Sequence, residues 1–170
     1  MQPGRGICRL WRMETAPAPV PEGLVIRPAG PDDVARLVEL LVGGALLETE
    51  DAGNLAPYRR ALHEILATSG NDVVVAELDG QAIGMCQLIF FRHLQSRGGL
   101  CAEVESMHVD DRFRSRGVGG RLLEEALARA REAGCYRVQL TSNKARMRAH
   151  EFYRRHGFVA THEGFKHDFS

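Results

Sequence analysis

Residues 112–121 read RFRSRGVGGR, with arginines at 112, 114, 116 and 121 and glycines at 117, 119 and 120. Arg114, Arg116 and Arg121 bring positive charge. Gly117, Gly119 and Gly120 bring backbone that can take positive φ and approach a ligand closely. An apolar run precedes the stretch and a helical pattern follows it, so it reads as a strand-to-helix turn. The first N–H groups of a helix are unpaired and carry partial positive charge, which makes such a turn a prepared anion site. One phosphate needs less than this, whereas two adjacent phosphates would use it. The spacing by itself also fits a glycine-relaxed turn with solvated arginines. Two other phosphate loops are excluded. A G-x-G-x-x-G pattern begun at Gly117 puts its third glycine at Leu122, and no G-x-x-x-x-G-K-[ST] occurs anywhere.

The positioning elements can be read from periodicity. Leu24–Arg27 is a short strand ending at a proline. Pro31 and two acidic residues open a helix closed by Gly43 and Gly44, with Val34, Leu37, Val38, Leu41 and Val42 on one face. Residues 43–55 form a loop, and a second helix runs near Pro57–Thr68. Asp79-Gly80 between two apolar runs is a strong hairpin signal, giving strands near 72–78, 81–91 and 100–109. Leu122, Leu123, Ala126, Leu127 and Ala130 set the face of the next helix, which Gly134 closes. YRVQLTS is a further strand. ARMRAHEFYRRHG is a helix with Ala149, Phe152, Tyr153 and His156 on one side, and two short strands about Glu163-Gly164 end the chain. The pattern is that of an α/β (α+β) chain. Its sheet is mixed and mostly antiparallel, with helices on both faces and residues 100–141 as a strand–helix–strand crossover between parallel strands.

Composition narrows the class. At 170 residues the chain fits one domain and can bury roughly two-thirds of its unfolded surface. Hydrophobic content of 44% and charged content of 26% are ordinary for a globular protein. Lys+Arg 22 against Asp+Glu 22 leaves no net field favouring nucleic acid or an anionic membrane. Only Lys144 and Lys166 are lysines, so the charge is arginine, concentrated in residues 112–121. Cys8, Cys86, Cys101 and Cys135 are scattered, which fits a reduced, cytoplasmic protein. No apolar run approaches the roughly 20 residues that span a bilayer. Residues 1–22 lack an apolar signal core and read as a flexible extension, leaving residues 23–170 as a single domain. His150 and His156, and His162 and His167, lack the i, i+4 helical spacing, so no metal site is expected.

The loop Arg114-Ser115-Arg116-Gly117-Val118-Gly119 resembles the [Arg/Gln]-x-x-Gly-x-[Gly/Ala] loop of the GNAT superfamily, the acyl-CoA-dependent N-acyltransferases. VESMHVDDRFRSRGVGGRLL is similar to that family's whole strand–loop–helix segment, and TSNKARMRAHEFYRRHGF resembles its second acetyl-CoA segment. The likeness covers about residues 24–170. It implies a parallel strand pair that splays apart, with acetyl-CoA as cosubstrate: Arg114, Ser115, Arg116, Gly117, Val118, Gly119 and Gly120 would grip its pyrophosphate. Met107, His108 and Val109 would offer backbone groups to pantetheine, and Asn143 would contact the same arm. It also makes a homodimer possible.

Acetyl transfer to an amine needs a base for the amine, a donor for the oxyanion and an acid for the departing thiolate. Tyr153 matches the family tyrosine that often faces the sulfur, and a phenol near pKa 10 can donate at neutral pH. Packing beside Phe152 is its other reading. Glu103 and Glu105 share a strand face, with Val104 and Ser106 on the other. Glu105 fits the family's carboxylate better than Glu103, unless both face solvent or pair with arginine, and His108 is a reserve base. A backbone N–H near His108–Val109 could serve the oxyanion. The segment 141–169 is similar to bacterial enzymes acting on small-molecule amines, which makes a primary amine the expected acceptor. A protein N-terminus or lysine, or a non-catalytic acetyl-CoA sensor, remains open.

Overall fold

The computed structural model describes residues 19–45 and 50–169. Most of the expected 1–22 extension therefore lies outside the described residues, as does part of the 43–55 loop. Five strands, β1 (Val25–Pro28), β2 (Asn71–Leu78), β3 (Gln81–Arg92), β4 (Leu100–Val109) and β5 (Arg137–Leu140), form one sheet in sequence order. β1 to β4 are antiparallel neighbours, and β4 and β5 run parallel. Asp79 and Gly80 both take positive φ between Leu78 and Gln81, the backbone that a two-residue hairpin requires. A one-turn segment, α3 (Gln95–Gly98), closes the β3–β4 connection with Ser96 and Arg97 also at positive φ.

Helices cover both faces. α1 (Val34–Gly44) and α2 (Ala56–Ala67) lie on one, where Val34, Leu37, Leu40 and Leu62 pack with Val73, Val75, Ala82 and Met85. α4 (Val118–Glu132) and α5 (Met147–Arg155) lie on the other, where Val118, Leu122, Leu123 and Ala126 pack with Val74, Ala76, Cys86, Leu88 and Val104. The uninterrupted run Val73–Ala76 is thus buried alternately into two cores, which is why it reads as continuous apolar sequence rather than alternation. On α1 the buried stripe includes Leu40, while Val42 is 43% exposed. The last turn therefore departs from the expected stripe.

The two strands expected about Glu163-Gly164 are not formed: residues 158–169 carry no strand. Val159, Phe165 and Phe169 are largely exposed, and a lone hairpin without a packed face is marginal in water. Short β5 offers little edge for it to join. No helix among the described residues is long and apolar enough to cross a membrane.

α4 is the element that fixes the sheet to the glycine–arginine loop. A side-chain carbon at Gly84 of β3 would come within 3.0 Å of Leu122 Cδ1 and 3.2 Å of the His108 carbonyl oxygen, so a bare α-carbon there lets the first turns of α4 sit close to the sheet. Leu122 and Leu123 are fully buried as a result. Leu122→Ala should lower the unfolding free energy by about 2–5 kcal/mol, seen as a lower urea midpoint at unchanged slope.

Candidate active site

β4 outruns its parallel neighbour. Pairing with β5 begins at Cys101↔Arg137 and stops at Val104↔Leu140, while β4 continues to Val109 against β3 alone. From Glu105 onward the backbone of β4 on the β5 side has no strand partner among the described residues, and buried backbone polar groups normally need one. The result is an open wedge between the two strands.

A bulge shapes the same stretch. Gln87 pairs with Glu105 and Met85 with His108, so Ser106 and Met107 together oppose Cys86, and Ser106 takes φ +48°. One extra residue reverses the alternation beyond it. Before the bulge Val104 faces α4, and after it Met107 and Val109 join that core. His108 turns to the α1 face, where a methyl group at Gly44 would overlap its ring. The bulge therefore places Glu105 and His108 on one face, which simple alternation does not predict.

The two glutamates have different surroundings. Glu103 stands opposite Gln139, whose side-chain amide donates to its carboxylate at 3.3 Å, within the paired part of β4. Glu105 stands just past the last pair, at the mouth of the wedge. Burial, and then the charge of Glu103, raise its carboxyl above the ordinary glutamate range, with Lys166 opposing. Tyr153, on α5, is half-buried between Phe152 and Phe158, with ring centroids 5.2 and 5.8 Å away. Its hydroxyl donates weakly to Met107 Sδ at 3.7 Å, and burial raises the phenol above its usual value, so it stays protonated. Tyr153 is thus part of the core, with its hydroxyl directed at a β4 side chain. Cys86 is buried, with its thiol pushed up to about 12, chiefly by burial, so it is no nucleophile.

Beyond β4 the chain makes a 3-10 turn, Asp111–Phe113, and enters the loop. Ser115 and Gly117 take φ +60° and +74°, and Gly117 is the N-terminal flanking residue of α4. No side chain among the described residues caps α4 and its first turn holds no acidic residue, so its leading N–H groups are left without a side-chain acceptor there. The Arg116 guanidinium lies 5.6 Å above the Phe113 ring. Arg114 pairs with Asp111 at 2.6 Å and donates from Nε to the Val109 carbonyl at 3.2 Å, occupying one lone pair of that oxygen. Asn143 accepts from the Ala145 amide at 2.9 Å, a turn within its own loop.

Sequence reasoning missed several contributors. Arg148 of α5 donates to Ser115 Oγ at 3.2 Å, bringing a further guanidinium to the loop. Arg36 of α1 pairs with Asp110, which also takes two bonds from the Arg112 side chain at 3.0 and 2.8 Å. These guanidiniums, Arg112 first, hold the Asp110 carboxyl well below the usual range and tie α1 to the start of the loop. Arg146 donates to the Gly44 carbonyl at 2.6 Å. None of these pairings has a local spacing signal, because each joins residues far apart in the chain or folds back over a turn.

Burial, then the charges of Arg146 and Arg114, push the His108 imidazole down to about 4, against an ordinary 6.5. The unfolded chain therefore takes up this proton before the folded one does. The stability from the neutral ring is complete above about pH 6.5 and is lost as pH falls towards 4. Unfolding free energies measured across that window should fall with pH, and His108→Gln should flatten the fall. Gly44→Ala should lower stability by about 1–3 kcal/mol at neutral pH by forcing the ring aside, measured by chemical unfolding.

Residues 43–158, more than half of the chain, match the Acetyltransferase (GNAT) family. An aminoalkylphosphonate N-acetyltransferase of Salmonella typhimurium (strain LT2) is 32% identical over 87 residues, 51% of this chain and 56% of the relative. An uncharacterized N-acetyltransferase of Archaeoglobus fulgidus is 31% identical over 91 residues, 52% of this chain and 60% of that one. The chain thus spans little more than half the length of these curated relatives. Among solved structures, one titled a transcriptional regulator from Bacillus halodurans C-125 is 33% identical with a TM-score of 0.82, covering 86% of this chain and 99% of that one. With the family match running from the end of α1 through α5, and a solved relative matching along nearly its whole length, the chain belongs to the acetyltransferase (GNAT) family.

Proposed function

We propose that this domain transfers the acetyl group of acetyl-CoA to a primary amine of a small molecule, by direct attack within a ternary complex. The observation that carries the reading is the uncapped, acid-free start of α4, ringed by arginines and opening beside the wedge between β4 and β5. A diphosphate fits the first feature, since it satisfies several N–H groups and guanidiniums at once. An amide-bearing arm such as pantetheine fits the second, since it can pair with the free edge of β4 as an added strand would. Arg114, Ser115, Arg116, Gly117, Val118, Gly119 and Gly120 would hold the diphosphate, with Arg148 beside them. Met107, His108 and Val109 would meet the arm, with Asn143 near its path.

Glu105 would take the proton from the amine, directly or through a water. Its raised pKa brings it closer to neutrality and makes it a stronger base than an ordinary carboxylate. His108, with its imidazole near 4, is the weaker base. A β4 amide near His108–Val109 would donate to the oxyanion as the amine nitrogen bonds to the acyl carbon. Collapse breaks the carbon–sulfur bond, and Tyr153 gives its proton to the thiolate. The small-molecule acceptor draws support from the Salmonella relative's name. A regulator's title on one solved relative keeps a binding-only role as the second reading.

Incubation with acetyl-CoA and a panel of amines distinguishes the two, because free thiol should appear only with an acceptor that is turned over. Acetyl-CoA binding by calorimetry without thiol release from any amine would favour the binding-only role. Tyr153→Phe should lower kcat by about 10²-fold while leaving acetyl-CoA affinity within a few-fold. Glu105→Gln should shift the kcat/KM profile to higher pH, where the free amine loses its own proton. An unaltered profile would assign the base to water or His108.

A further inference from the structure

Arg146 lies on the segment between β5 and α5, yet it is anchored across the molecule. Its Nη2 donates to the carbonyl oxygen of Gly44, the last residue of α1, at 2.6 Å. There the guanidinium meets the negative end of a helix. It also stands near the His108 ring, since Gly44 is the residue packed against that ring. Its positive charge is felt by the His108 imidazole and the Tyr153 phenol alike. Arg146 is thus a cation inside the candidate site, on the α1 side, where the bulge also brings Glu105 and His108.

The other arginines near the site are engaged. Arg36 and Arg112 hold Asp110, Arg114 holds Asp111, Arg116 lies over Phe113, and Arg148 donates to Ser115. Arg146 is half-buried, and no carboxylate pairs with it among the described residues. A guanidinium carries five N–H donors in a planar fork. The Gly44 carbonyl uses one edge of that fork and fixes its direction, leaving donors free to take two oxygens of one anion. Arg146 is also set apart from the loop at α4, because its tie runs to α1 rather than to residues 114–120.

We propose that Arg146 is a specificity residue that binds an acidic group on the acceptor, so that the acceptor is a small amine carrying its own carboxylate or phosphonate. The proposal rests on the acetyltransferase reading above. Held by its anionic end at Arg146, such a molecule presents its amine towards Glu105 and the mouth of the wedge. A neutral amine of the same length lacks this anchor.

The test compares thiol release from acetyl-CoA with 2-aminoethylphosphonate, 3-aminopropanoate and the uncharged ethanolamine. The wild-type protein should favour at least one anionic amine over ethanolamine by about tenfold or more in kcat/KM, expressed mainly in KM. The phosphonate and carboxylate arms identify which anion fits. Arg146→Gln should collapse the preference towards unity. Arg146→Lys, which keeps the charge and a donor for Gly44 but loses the fork, should retain only part of it. Calorimetric binding of acetyl-CoA to both variants confirms that each is folded. Equal turnover of charged and uncharged amines by the wild type, or an equal loss on all amines in both variants, would overturn this proposal and leave the transferase reading standing. Acetyl-CoA binding with no thiol released from any amine would overturn both.

Discussion

The free edge of β4 beyond Val104 is the constraint on which the site depends. A sheet edge with unpaired N–H and C=O groups is usually covered, charged or kept short, because it will pair with any extended chain that reaches it. Here β5 stops at Leu140 while β4 runs on to Val109, in a sheet with helices packed on both faces. The bulge at Ser106–Met107 adds local twist to β4 where the two strands part. Gly84 allows α4 to close down on β3 from beneath, so the wedge is bounded by a firm floor. Short β5, the bulge and a close-packed α4 together leave the end of β4 unpaired on the β5 side.

Charge is distributed to match that shape. The chain is neutral in sum, yet its arginines fall into two groups. Some are structural: Arg27 joins Asp33 and Glu77, Arg36 joins Asp110, and Arg129 joins Asp72 and Glu125. Others, among them Arg114, Arg116, Arg121 and Arg148 about the start of α4 and Arg146 near Tyr153, carry a solvent-screened acid or no close acid within the described residues. Exposed pairs such as Arg114–Asp111 contribute little by themselves, so Arg114 remains able to exchange its partner for a stronger anion.

Burial tunes the titrating groups around the wedge in useful directions. It raises the carboxyl of Glu105, raises the phenol of Tyr153 and lowers the imidazole of His108, in each case by disfavouring the charged form. Tyr153 and His108 are therefore neutral at neutral pH, while the Glu105 carboxyl is moved above the ordinary glutamate range.

The amino-acid sequence by itself determined most of the elements and the glycine–arginine loop. Asp79-Gly80, the apolar stripe of α4 and the run RSRGVG act through local spacing, and local spacing survives in a one-dimensional reading. It also supplied the family likeness that pointed to Tyr153 and Glu105. It did not reveal the bulge, since a shifted register is a relation between two strands, so the shared face of Glu105 and His108 was hidden by strict alternation. Nor did it reveal Arg36–Asp110, Arg148–Ser115 or Arg146–Gly44, whose partners lie 74, 33 and 102 residues apart. It suggested a terminal hairpin that the fold does not form, because Val159, Phe165 and Phe169 find no packed face. Patterns with a short period were written in the chain; which distant side chains meet was decided only when the sheet twisted and bulged.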